Sequence, residues 1–217
     1  MEKFGVIFDM DGTMIDNMPY HHEAFRKLHK RHNVPMAEDF LPRTSGKTNN
    51  DIMPMIFGEG LSAEKIAELA HEKESLYREL YRPHMRPVKG LSELLEALKA
   101  EGIPMCVGSS APDENIDMVL DGLNLRGYFE AVINSSQITE GKPNPEVFLK
   151  AAEAMHLAPE QCVVVEDAVL GVEAARNAGM AVVAIATMVP PEQLQDADMV
   201  IKDFTEVNVY TFENLLN

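Results

Sequence analysis

The chain has 217 residues, enough for one large domain or for a core domain carrying a smaller one, and its hydrophobic share of 46% is ordinary for a globular protein. Acidic residues outnumber basic ones 35 to 19, giving a formal charge of -16, and the lysines and arginines form no cluster. Such a surface repels phosphate polymers and anionic lipid, which excludes nucleic acid and a membrane surface as expected partners.

The N-terminal stretch MEKFGVIFD reaches an acid too early for a signal peptide, and no apolar run approaches the ~20 residues of a membrane helix. Cys106 and Cys162 each sit inside an apolar run, where a small buried hydrophobe explains them better than a disulfide or a metal ligand. A cytoplasmic, monomeric protein is the expectation. Along the chain, FGVIF (4–8) reads as the first buried strand. The next strand-like run is IPMCVG (103–108), so residues 14 to about 88 form a connection far longer than a parallel crossover needs. That stretch reads as helical: MPYHHEAFRKLHKRH (18–32), a piece around NNDIMPMIF (49–57), and SAEKIAELAHEKESLYRELYR (62–82), in which Ile66, Leu69, Tyr77 and Leu80 recur at helical spacing. It is bounded by a short segment at 14–18 and by RPHMRPVKG (82–90), whose prolines and glycine suit a semi-rigid linker.

Beyond the insertion come a helix at 91–102, the strand at 103–108, a weaker strand AVIN (131–134) and a helix at 145–156. The strand CVVVE (162–166), a helix at 169–179, the strand AVVAIA (181–186) and a weaker strand DMVI (198–201) follow. Strands alternating with helices predict an α/β fold, a Rossmann-like parallel sheet with helices on both faces. The expected division is a core of residues 1–14 and 88–217 and a small helical cap domain of residues 15–87, inserted after the first strand.

In an open parallel sheet the ligand site lies at the carboxyl ends of the strands. Asp9, Asp11 and Gly12 follow the first apolar run, Ser109 and Ser110 the second, and Glu166 with Asp167 follows CVVV. Lys142 stands in GKPNP, on the loop entering a helix. Four carboxylates on one rim repel one another and raise each other's pKa. A hard dication relieves this, and carboxylate oxygens with a backbone carbonyl and waters suit Mg2+. With Mg2+ and Lys142 in place the site can accept a phosphate dianion.

DMDGT (9–13), GSS (108–110), GKPNP (141–145) and VVVED (163–167) occur in the order of four motifs of the haloacid dehalogenase superfamily. Over essentially its whole length the sequence resembles that superfamily's phosphotransferase branch with a helical cap, close to β-phosphoglucomutase-like phosphatases. The resemblance implies Asp9 as nucleophile, Asp11 as general acid/base, and Ser109 and Lys142 as holders of the transferring phosphoryl group. It implies Mg2+ bound by Asp9, the backbone carbonyl of Asp11, and Asp167 with Glu166. Gly12 and Thr13 complete the first motif beside the phosphate, and Ser110 follows Ser109 at the substrate. His21 resembles a position at which mutase relatives carry a substrate-facing histidine, and Lys73 one at which relatives place a lysine toward the site.

The segment SGKTNNDI (45–52) resembles the cap loop that contacts substrate. In β-phosphoglucomutases that loop carries an arginine for a second phosphate; the nearest position here is Asn49, with Lys47 and Arg43 as alternative anchors. The stretch APDEN after Ser110 is read as a loop and lacks the polar pattern of a mutase. Both departures favour a hydrolase of a small-molecule phosphate ester over a β-phosphoglucomutase. A non-catalytic sensor on the same fold could discard Asp9 or Asp11, and this chain keeps both. Asp16 reads as a hinge or helix-start residue.

Overall fold

The computed structural model describes residues 4–44 and 46–216. Six strands form one sheet in the order β3-β2-β1-β4-β5-β6, every neighbouring pair parallel. They are β1 (Gly5–Phe8), β2 (Met105–Gly108), β3 (Ala131–Ile133), β4 (Cys162–Glu166), β5 (Ala181–Ile185) and β6 (Met199–Ile201). Because side chains alternate along a strand, each strand feeds two cores. Val6 and Phe8 of β1 join Met105, Val107, Val163 and Val165 on one face, while Ile7 joins Cys106, Cys162 and Val164 on the other. Both cysteines are therefore buried apolar side chains.

Helices cover both faces. Leu91, Leu94, Leu95 and Leu98 of α5 (Leu91–Ala100) pack on the first face with Ile116, Val119 and Leu120 of α6 (Asp113–Gly122) and Phe212 of α9 (Val209–Asn214). On the second lie Val147, Phe148 and Ala151 of α7 (Glu146–Ala154) and Val172 and Ala175 of α8 (Val169–Asn177).

Between β1 and α5 the chain builds α1 (Met18–Arg31), α2 (Phe40–Thr44), α3 (Asn49–Phe57) and α4 (Ala63–Tyr81). These helices carry their own apolar cluster of Phe25, Leu28, Phe40, Ile52, Met53, Ile56 and Leu69. The far end of α4 does something different: Leu76, Tyr77 and Tyr81 join the sheet's first core. The two strands of chain that enter and leave this segment are paired, since Ile15 bridges Pro87 and Val88 N donates to Met14 O at 2.9 Å. Among the described residues no helix is long and apolar enough to cross a membrane.

Two local expectations change, and a third position lies outside the described residues. The APDEN stretch is a loop only as far as Pro112, and Asp113 opens α6. The residue at the start of α1 is Asn17, with Asp16 exposed beside it. Ser45, which opens SGKTNNDI, lies outside the described residues.

Candidate active site

β1 is flanked by β2 and β4, so the loops that follow these three strands meet at the middle of the sheet. Beyond Phe8 the chain leaves the strand and turns on Met10, whose carbonyl accepts from the backbone N–H of Thr13, Met14 and Ile15. Asp11 therefore lies on a turn and not on the face of the strand that ends just before Asp9. Gly12 makes that turn with φ 81°, and a Cβ there would lie against the Asp167 carboxylate. The close approach of the two loops needs glycine.

Asp9, Lys142, Glu166 and Asp167 come together in the interior, each 5% exposed or less. Lys142 Nζ donates to Asp9 Oδ1 at 2.7 Å and to Glu166 Oε1 at 2.5 Å. The second Glu166 oxygen accepts from Ala168 N at 2.5 Å, and the absence of a side chain on Gly171 leaves room for that carboxylate against α8. Thr13 Oγ1 donates to Asp167 Oδ1 at 3.3 Å. Burial raises the Asp9 carboxyl to about 7, with Lys142 opposing and Glu166 assisting the rise. Asp167 is likewise pushed well above its ordinary value, by burial first and then by Glu166 and Asp9. Burial works against the Lys142 charge, but Asp9 and Glu166 outweigh it and hold its pKa above the usual lysine range.

With all three carboxylates ionised, one ammonium would leave two negative charges unanswered, and the raised pKa values of Asp9 and Asp167 express burial first and then that repulsion. Ligand atoms of Asp9, Glu166 and Asp167 lie within 4.8 Å of one another, an all-oxygen donor set that fits a hard dication such as Mg2+. Among the described residues, no hydrogen bond engages the second oxygen of Asp9 or of Asp167, whereas both oxygens of Glu166 are engaged.

A cleft of about 80 Å³ opens over this cluster. From the sheet side it is lined by Asp9, Asp11, Ser109, Ser110 and Lys142, and from the inserted helices by His21, Lys47, Asn49, Lys73 and Glu74. Gly12 and Thr13 lie behind the first wall, supporting it. Arg43 is turned away from the cleft, exposed and 3.6 Å from Asp39. Ser109 is buried at the end of β2, its Oγ accepting from Ala111 N at 3.2 Å, and Ser110 Oγ donates to Gly46 O at 3.3 Å, so the second motif touches the inserted loop.

The placement of Asn49 follows from local chemistry. Thr48 caps α3 through its side chain, which accepts from Asp51 N, and Asp51 answers by accepting from Thr48 N, fixing Asn49 as the first helical residue. His21 stacks on Tyr77 with ring centroids 3.7 Å apart. Lys73 Nζ lies 2.8 Å from His21 Nδ1. An ammonium can only donate, so the ring proton is on Nε2, which faces Asp11 Oδ2 at 3.6 Å.

Two site residues escaped the sequence reading. Asn17 is fully buried, donates to Asp11 Oδ1 and Tyr77 OH at 2.6 Å each, and accepts from Gly12 N at 2.9 Å. Glu74 is buried beside Lys73. A polar residue beside a helix start was the only sequence signal for the first, and for the second the only one was its place next to Lys73 in the long helix.

These residues place a buried, oxygen-rich cluster of three carboxylates and one lysine at the end of the central strand of a parallel α/β sheet. The chain belongs to the haloacid dehalogenase-like hydrolase family, whose pattern matches residues 6–185. It is 34% identical over 180 residues to a phosphorylated carbohydrates phosphatase of Thermotoga maritima, with 81% of each chain covered. It is 31% identical to the validoxylamine A 7'-phosphate phosphatase of Streptomyces hygroscopicus subsp. limoneus, covering 93% of this chain and 94% of that one. Among solved structures, the β-phosphoglucomutase of Clostridium difficile superposes with a TM-score of 0.88 at 25% identity, covering 99% of this chain and 97% of the other.

Proposed function

We propose that this protein is a Mg2+-dependent phosphatase of small phosphorylated metabolites, sugar phosphates foremost, acting through a phosphoaspartate on Asp9. The observation that carries the reading is the buried Asp9–Lys142–Glu166 contact at the mouth of the central strand, with Asp167 beside it. Residues 15–87 are then the cap, and the cleft between cap and core is where substrate binds.

Asp9 attacks phosphorus through Oδ1, leaving its second oxygen free, and the bond to the ester oxygen breaks. The departing oxygen takes a proton from Asp11, which Asn17 aims by its 2.6 Å hydrogen bond. Water then attacks the phosphorus of the phosphoaspartate, Asp11 receives the proton of that water, the bond from phosphorus to Asp9 breaks to restore its carboxylate, and inorganic phosphate leaves. Lys142 and the Ser109 hydroxyl hold the phosphoryl oxygens through both steps. Mg2+, when bound, supplies positive charge to the carboxylates and the phosphoryl oxygens. Its holders would be Asp9 and Asp167 by their unengaged oxygens, with the Asp11 carbonyl. Glu166, both of whose oxygens are engaged, instead positions Lys142.

The similarity to a β-phosphoglucomutase keeps a second reading open, in which the phosphoryl group passes to a sugar hydroxyl. The residues favour water as acceptor. A mutase has to grip the far phosphate of a bisphosphate, a task suited to a bidentate arginine, and Asn49 is already committed to Glu74 at 2.8 Å. Phosphate release from a panel of phosphate esters, with Mg2+ and with EDTA, tests the proposal. Release that is Mg2+-dependent and absent in Asp9→Asn is expected, and release unaffected by chelator or by that substitution would refute it.

A further inference from the structure

Glu74 is a buried acid for which the reaction above has no task. It stands on α4 at 4% exposure, in the wall of the cleft that faces the phosphoryl site from the inserted helices. It is held from three sides: Lys73 Nζ and Asn49 Nδ2 each donate to Oε1 at 2.8 Å, and Asn115 Nδ2 donates to Oε2 at 2.7 Å. Asn115, on α6, is in turn fixed by Arg78 NH1, which donates to its Oδ1 at 2.9 Å. Glu74 and Arg78 are one helical turn apart on α4 and bracket a single amide between them. A carboxylate offers about four acceptor sites, and three are taken here. The remaining one is on Oε2.

Burial alone would raise this carboxyl, but the Lys73 ammonium above all overcomes it and brings it to about 2, so the group is ionised at any physiological pH. Its charge answers that of Lys73 beside it, leaving Lys47 as the other cation of the wall, and among the described residues no arginine lines the cleft. An anionic group arriving here would meet an ammonium already neutralised by Glu74, so the pair offers it no net attraction. A hydroxyl would meet a carboxylate with one acceptor site not taken by the protein donors named above.

We propose that Glu74 determines the substrate class of this cleft, accepting a hydrogen bond from a hydroxyl of a singly phosphorylated sugar or polyol and turning away a second phosphate. The assignment rests on the phosphatase reading for the chemistry at the other end of the cleft, but it concerns binding and is tested by binding. Glu74→Gln alone would set its amide N–H against the Asn115 amide N–H. The paired variant E74Q/N115D moves the carboxylate to position 115, where Arg78 answers it. That variant retains the protein's net charge and the hydrogen-bond chain, and position 115 does not line the cleft.

Titration calorimetry with glucose 6-phosphate and glucose 1,6-bisphosphate in Mg2+ buffer, in an Asp9→Asn background that prevents turnover, gives the two affinities. The protein retaining Glu74 should bind the monophosphate more tightly. The paired variant, checked by its melting temperature, should shift the ratio toward the bisphosphate by roughly tenfold or more. An unchanged ratio in the folded paired variant overturns the assignment. So does tighter binding of the bisphosphate by protein retaining Glu74, or no binding of the monophosphate, neither of which depends on the variant folding. A protein that discriminates as expected but releases phosphate from no ester would contradict the proposed function and leave Glu74 its role.

Discussion

At the scale of single residues the account turns on two aspartates with different tasks. Asp9 touches Lys142 and Asp11 touches Asn17, and in the proposed mechanism the first bonds phosphorus while the second exchanges a proton. Asp9→Asn should abolish turnover with little change in melting temperature, because the amide keeps the side chain's volume but is no nucleophile. Asp11→Asn should lose on the order of 10²- to 10⁴-fold, most on alkyl phosphates, whose leaving oxygen needs the proton, and least on aryl phosphates. An equal loss on both ester types would show that Asp11 is not the acid. The unengaged oxygens of Asp9 and Asp167 predict a ranking as well: Asp167→Asn should weaken Mg2+ binding more than Glu166→Gln, and calorimetry giving the reverse order would make Glu166 a direct ligand. Most of this site was legible because DMDGT, GSS and VVVED each close an apolar run whose carboxyl end points to the same rim, while Lys142 was read on the loop entering a helix. Asn17 and Glu74 were not legible, since what makes them important is burial by chain distant in sequence.

Among the elements, α4 has the largest part, rooted in the sheet's core at Tyr77 and Tyr81 and carrying Lys73 and Glu74 into the cleft. Glu74 binds α4 to α3 through Asn49 and to α6 through Asn115, and its folded pKa is about 2 against an ordinary 4.5. A depressed carboxylate contributes stability that is fully present above its unfolded pKa and is lost as pH falls through the folded one. The contribution, on the order of 3 kcal/mol, should therefore fade between about 4.5 and about 2. Urea unfolding of the native protein and of Glu74→Gln should give stabilities that differ most near neutral pH and converge across that window. Curves that stay parallel would remove Glu74 from the link. The strands were readable from their apolar runs, and α5, α7 and α8 from helical periodicity with glycine or capping signals. By contrast α6 hid behind Asp113 and Glu114, although Ile116, Val119 and Leu120 carry the same periodicity. With five and six residues, α2 and α9 are too short to show a period.

For the whole molecule, the insertion and the sheet are separate in chain order but share the cleft. Their paired connections at Ile15 and Pro87, the Ser110–Gly46 contact and the Glu74–Asn115–Arg78 bracket all hold the helices over the strand ends. In the proposed reaction the cleft between them has to admit one water to the phosphoaspartate, the step that would separate a hydrolase from a mutase. Phosphorus NMR follows both fates in one sample, because inorganic phosphate and an isomeric sugar phosphate give distinct signals. With Mg2+, a set of sugar monophosphates including β-glucose 1-phosphate, and a bisphosphate primer, the account predicts growth of the inorganic phosphate signal well ahead of any isomeric sugar phosphate. Accumulation of glucose 6-phosphate with little inorganic phosphate would contradict it and make the protein a mutase.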